Sequence, residues 1–149
     1  MKSKLAQQIG LSLIVILIWS CNFNSTFINR EEDKEDAEKI AEKFYGHLQK
    51  RAYSKLHALI SERFWKTTSD DKLDDFLTSA DDKLGPIKSK TLDHWETKII
   101  KGTQSSSTYV LYYLVQREKH QSKETLTLTK EDGKIKILGY NLNSEGIFK

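Results

Sequence analysis

The spacing of apolar residues changes once along this chain of 149 residues, at Gly85-Pro86, and no other feature restricts the fold as much. Before that point apolar residues recur every three or four positions. After it they recur every second position. The first spacing gathers them on one face of a helix and the second on one face of a strand. Helices first and strands after imply an α+β domain, with the helices packed on one face of an antiparallel sheet.

Three helices are expected. In "EDAEKIAEKFYGHLQKRA", Ala37, Ile40, Ala41, Phe44 and Leu48 form a single stripe. Acidic residues Glu31, Glu32 and Asp33 crowd its start and Lys50 and Arg51 close it, an arrangement that suits the helix dipole. A second helix is expected from Ser54 as N-cap, with Leu56, Leu59, Ile60 and Phe64 on one face. The third is capped by Thr68 or Ser69, carries Leu73, Phe76, Leu77, Ala80 and Leu84, and stops at Gly85-Pro86.

Four strands follow. "KSKTLDHWETKII" alternates, with Leu92, His94 and Glu96 on one side and Asp93, Trp95, Thr97 and Ile99 on the other. "STYVLYYLVQRE" reads as a central strand, and "ETLTLTK" puts Leu126 and Leu128 on one face. Asp132-Gly133 signals a tight hairpin, and Gly139 in "IKILGYNLN" marks a bulge. Short connections make the four neighbours antiparallel. The fold expected over 33–149 is therefore α+β, three N-terminal helices on a curved four-stranded antiparallel sheet.

The N-terminus reads differently. Lys2 and Lys4 precede an apolar run from Ile9 to Trp19, the layout of a secretion signal and too short to cross a bilayer. "LIWSC" resembles a bacterial lipobox, with aliphatic Ile18, variable Trp19, small Ser20 and then Cys21, the only cysteine. That resemblance implies a signal peptide over 1–20, cleavage before Cys21 and a diacylglyceryl thioether on its thiol. Palmitate-like chains, at about 0.8 kcal/mol per buried methylene, would hold such a product at a membrane. Residues 21–32 then read as a flexible tether reaching about 40 Å at full extension. Asn22 is not the aspartate of an inner-membrane retention signal, which favours the outer membrane of the cell envelope, facing the periplasm or the surface.

Charge offers no nucleic-acid footprint. Removing Lys2 and Lys4 with the leader takes 24 Lys and Arg to 22, against 21 Asp and Glu.

Helices followed by a long antiparallel sheet resemble the cystatin-like, nuclear-transport-factor-2-like superfamily. Within it, "AYSKLHALISERF", "DKLGPIKSK" and "ETLTLTKEDGKIKILGYNL" resemble small bacterial lipoproteins whose domain has no assigned function. The likeness runs from about Asp36 to Asn143. It implies a sheet curled around its helices over a cone-shaped pocket. Some members of the superfamily use such a pocket for proton transfer or dehydration, and many others bind ligands or partners there.

Ionisable candidates for such a pocket are Tyr45, His57, Asp93, His94, Tyr113 and Tyr140, none of them in a motif that assigns a role. Asp93 and His94 are adjacent, so a flat strand would point them to opposite faces. His47, His57, His94 and His120 lack metal-ligand spacing, and no cofactor motif occurs. Arg117, Lys119, His120 and Lys123, diluted by Glu118 and Glu124, read as a solvated hairpin edge. Tyr109, Tyr112, Tyr113 and Trp95 form the densest aromatic group, and Tyr45, Trp95 and Tyr113 are the expected pocket-lining residues. The functional expectation is a lipid-anchored, non-catalytic binding module. Its partners are the membrane through Cys21 and a protein partner or second copy through the sheet face. The alternative is a small-molecule isomerase or dehydratase.

Overall fold

The computed structural model describes residues 24–147. Its elements are strand β1 (Ser25–Ile28), helices α1 (Glu31–Gln49), α2 (Tyr53–His57), α3 (Glu62–Trp65) and α4 (Asp70–Leu84), then strands β2 (Ile87–Lys101), β3 (Ser106–Arg117), β4 (Gln121–Glu131) and β5 (Lys134–Asn143). A turn of 3₁₀ helix, Glu145–Ile147, follows. The α+β class holds, but among the described residues the sheet has five antiparallel strands, in the order β1-β2-β3-β4-β5, and the helices number four.

The added strand lies in the stretch expected to be a tether. Ser25 pairs with Lys101 and Ile28 with Lys98, so β1 extends the sheet beyond β2. Asn29 locks the exit: its N–H donates to Thr97 O and its Oδ1 accepts from Thr97 N, both at 2.9 Å. Asn29 sits at φ 49°, a left-handed turn that asparagine tolerates. Arg30 then turns the chain into α1, its guanidinium bonded to both carboxylate oxygens of Asp33 at 2.7 and 2.9 Å.

The added helix comes from a break in the expected second one. Ile137 N donates to Leu59 O and Ser61 N to Ile137 O, each at 2.8 Å. This parallel bridge turns residues 59–61 from helix into a strand-like step against β5. Ser61 restarts the helix as the cap of α3, its Oγ accepting from Phe64 N. Ser54, expected as a cap, lies inside α2, which starts without a side-chain cap.

The stripes and strand phases meet in one core. Ala37, Ala41, Phe44, Tyr45 and Leu48 of α1 and Leu73, Leu77 and Leu84 of α4 are buried. From the sheet come Tyr109, Leu111, Tyr113 and Val115 of β3, and Leu126 and Leu128 of β4. The helices reach the sheet through this inward face: Tyr45 packs on Tyr113, and Phe44 and Phe76 on Tyr140, with ring centroids 5.0–6.0 Å apart.

Register shifts bend the long strands. One leaves Asp93 unpaired between Leu92 (opposite Tyr113) and His94 (opposite Tyr112). This extra residue reverses the strand's phase, so Leu92 and Trp95 both pack on the core, against the strict alternation expected. Another shift leaves Leu138 unpaired beside Gly139, where a bulge was expected. Asp132 and Gly133, at φ 48° and 76°, form the two-residue hairpin.

Gly85 ends α4 at φ 78° and ψ 170°, a region open essentially to glycine alone. A Cβ there would lie 2.8 Å from Glu118 Cβ. Gly85→Ala is expected to lower unfolding free energy by about 2–4 kcal/mol, from strain plus the clash with the β3–β4 turn. Urea titration of the variant checks this, and a change below 1 kcal/mol (roughly the strain of one soft torsion) contradicts it.

Candidate functional site: a buried tyrosine and ion-pair cluster

The inward alternation of β3 runs Tyr109, Leu111, Tyr113, Val115 and then Arg117; that of β4 runs Ser122, Glu124, Leu126 and Leu128. Two charged residues of the β3–β4 turn, Arg117 and Glu124, therefore leave the solvated edge expected, while Glu118, Lys119 and Lys123 stay exposed on it. Arg117 and Glu124 are each 1 % exposed. Charges taken from water must be paired and hydrogen-bonded, and these are.

Glu124 Oε1 accepts from Arg117 Nε at 3.1 Å, Arg117 Nη2 at 3.0 Å and Ser122 Oγ at 2.7 Å. Its Oε2 accepts from the Tyr140 hydroxyl at 2.6 Å. Arg117 Nη1 donates to Asp81 Oδ1 on α4 at 3.0 Å, and Arg51, just past α1, donates from Nε to Asp81 Oδ2 at 3.0 Å. Two guanidinium groups thus meet two carboxyl groups. The cluster ties α4 and the end of α1 to the β3–β4 hairpin.

Tyrosines surround it. Tyr45 and Tyr113, 1 % and 3 % exposed, meet edge to face at 5.2 Å, and their hydroxyls are buried with no hydrogen-bond partner among the described residues. Burial, and then the negative charge of nearby Glu124, push the Tyr45 hydroxyl well above the ordinary tyrosine range. Burial raises Tyr113 too, reinforced by Glu38 and Glu42. Tyr140 is raised by enclosure and by Glu124, with Arg117 opposing. Lys90 Nζ lies 5.4 Å from the ring centres of both Tyr45 and Tyr113 and pairs with Glu42.

Of the residues expected to line a pocket, Tyr45 and Tyr113 do come together, but inside the packed core. Trp95 shares the inward face opposite Leu111 and is half-buried, with Lys34 Nζ 5.6 Å above its ring. The remaining candidates are scattered. His57 Nε2 bonds Asp74 Oδ1 at 2.7 Å and stacks edge-on to Trp65. Asp93 is the exposed bulge residue, and His94 lies outside beside Tyr112 and Glu96. His120 packs beneath Gly146, and His47 is half-buried on α1. Among the described residues no three His, Cys, Asp or Glu side chains gather as a metal site. Cys21 lies outside the described residues.

The open depressions lie elsewhere on the surface. One of about 380 Å³ runs between α1 and β5, lined by Asp36, Lys39, Ile40, Lys43, Ala58, Leu59 and Lys134–Lys136. Sequence reading missed it because its two walls lie about ninety positions apart. The ion-pair cluster, by contrast, left a readable signal, since Arg117 and Glu124 continue the inward phase of their strands. Comparison of the chain with protein-family models, characterised proteins and solved structures finds no match.

Proposed function

We propose that the protein is a lipid-anchored, non-catalytic binding module of the bacterial cell envelope, built on a cystatin-like, nuclear-transport-factor-2-like domain. The observation that carries the non-catalytic reading is the enclosure of Glu124, which is 1 % exposed. Its Oε1 accepts from Arg117 Nε, Arg117 Nη2 and Ser122 Oγ and its Oε2 from the Tyr140 hydroxyl, so both oxygens are engaged inside the core. A general base needs a lone pair aimed at a substrate proton. The most deeply buried carboxyl group of this domain spends its lone pairs on holding strands and helices together. Binding then falls to outer surfaces, among them the sheet face carrying Val110, Tyr112, Leu114, Thr125 and Thr127, all half-buried.

The fold-family reading is supported by the order of the elements, with four consecutive helices followed by a long, bulged meander whose inward face they cover. The anchor reading rests on "LIWSC" and is sharpened by β1. Only Asn22 and Phe23 separate Cys21 from Asn24, so the acylated residue reaches at most roughly 10 Å from the domain. The long tether of the sequence reading shrinks accordingly.

Labelled palmitate tests the proposal. The wild-type chain is expected to take up label and sediment with membranes; Cys21→Ala is expected to lose both. Equal labelling of the two chains refutes the anchor. Turnover of a carbonyl substrate that disappears in Glu124→Gln would move the assignment to the isomerase or dehydratase alternative.

A further inference from the structure

The cleft between α1 and β5 combines an apolar floor with a basic rim. Ile40, Ala58, Leu59 and Ile135 supply the floor; Lys39, Lys43, Lys134 and Lys136 surround it, against the single acidic residue Asp36. Asp36 engages Lys39 at 2.8 Å, and Lys136 donates to Ala58 O at 2.5 Å. The ammonium groups of Lys43 and Lys134 have no hydrogen-bond or ion-pair partner among the described residues. Both are exposed at the mouth of a space large enough for a headgroup.

Strand direction places the cleft. Ser25 pairs with Lys101, so the chain enters beside the β2–β3 hairpin tip, where Asn24 Oδ1 accepts from Thr103 N at 3.3 Å. β2 and β4 run the same way in the sheet, so the β4–β5 tip at Asp132-Gly133 lies at that same end. Lys134–Lys136 begin β5 directly after it. The edges β1 and β5 are four strand spacings apart, about 19 Å. A chain attached to lipid at Cys21 would thus bring this end of the sheet, and the basic cleft with it, to the headgroup layer.

We infer that this cleft binds the phosphate-bearing headgroup of an anionic phospholipid, with Lys43 and Lys134 on the phosphate and Ile40, Leu59 and Ile135 against the first acyl carbons. The placement rests on the anchor reading above; the charge and shape of the cleft do not. Unpaired ammonium groups gain from a fixed anion, and an apolar floor favours an anion carrying hydrocarbon over a bare one. Specific occupancy also separates this site from diffuse attraction, because the whole chain is close to neutral.

The test uses the full chain in neutral detergent micelles, without reliance on its own acylation. Amine acetylation rates are read lysine by lysine by mass spectrometry, with dihexanoyl phosphatidylglycerol, dihexanoyl phosphatidylcholine or inorganic phosphate added. The phosphatidylglycerol arm is expected to slow Lys43 and Lys134 at least threefold and the rim residue Lys136 with them, leaving Lys72 on α4 unchanged, while the other two arms have no effect. The exposed double variant Lys43→Glu, Lys134→Glu is expected to lose the protection that phosphatidylglycerol gives Lys136. Unchanged rates at Lys43 and Lys134, equal slowing of Lys72, or equal protection by inorganic phosphate each overturn the proposal. Palmitate labelling of Cys21 reports separately on the anchor, so failure of one reading is not mistaken for failure of the other.

Discussion

Arg117→Leu is expected to cost about 3–5 kcal/mol of folding stability, the largest loss of any single substitution considered for this domain. The reason is asymmetric. Leucine fills much of the arginine stem's volume, but it leaves Glu124 and Asp81 buried without their shared cation. A domain of this size has roughly 5–15 kcal/mol in total, so thermal unfolding should fall by well over 10 °C or the chain should lose its fold. Adding Glu124→Gln to Arg117→Leu should recover part of the loss, because the more enclosed of the two carboxyl groups becomes neutral. Denaturant unfolding of the four chains in this cycle gives the coupling directly. A double variant whose loss equals the sum of the two single losses would show that the pair is not coupled, and that the cluster is packing alone.

Alkaline unfolding is the second large effect. Tyr45, Tyr113 and Tyr140 all have folded-state pKa values raised above the unfolded value near 10. A raised value means the folded chain keeps a proton that the unfolded chain releases. The stabilisation is complete below pH ~10 and is lost as pH rises further, at about 1.4 kcal/mol per pH unit for each such tyrosine. Three together remove about 4 kcal/mol per unit, so the fold should collapse within about two or three units above 10. Absorbance at 295 nm and circular dichroism, recorded together, check this. Of the six tyrosines, no more than three should ionise while the dichroism is native, and the rest should follow only with unfolding. Six reversible ionisations in a folded chain would contradict the burial of these hydroxyls.

The cluster also bears on how the fold keeps its register. Glu124 stands opposite Tyr113 across β3 and β4, and a slip of one residue would turn both Glu124 and Arg117 outward. The same slip would bury Lys123 and Gln116 in their place. Hydrophobic burial alone penalises such a slip by exposing leucines; burying Lys123 and Gln116 adds a desolvated charge and an amide without partners. The closed interior and the register of the sheet thus have one cause. The surface is where the chain has room for recognition, and the α1–β5 cleft, with four lysines against Asp36, is a net basic concavity on it.

The amino-acid sequence by itself determined where α1 and α4 run, where β2 to β5 run, and that helices cover one sheet face. Each of those features is a local period, readable because side chains at fixed spacing share a face whatever lies across from them. Caps and turns were legible for the same reason: Ser69 before α4, Gly85 after it, and Asp132-Gly133 between β4 and β5. Tertiary structure alone decided the rest. Four residues, Ser25–Ile28, have too little periodicity to declare a strand, and they become one because Lys98–Lys101 offer an open edge seventy positions away. The expected second helix breaks at Leu59–Ser61 because Ile137 supplies backbone partners there. Leu92 joins Trp95 on the inward face only through the unpaired Asp93. Arg117 and Glu124 looked like solvent-facing charges because a charge is buried only when its counter-charge is already in place, and pairing across strands and to Asp81 on α4 is a property of the assembled fold. The same holds for the four lysines of the cleft, whose distant segments meet only when α1 lies across β5.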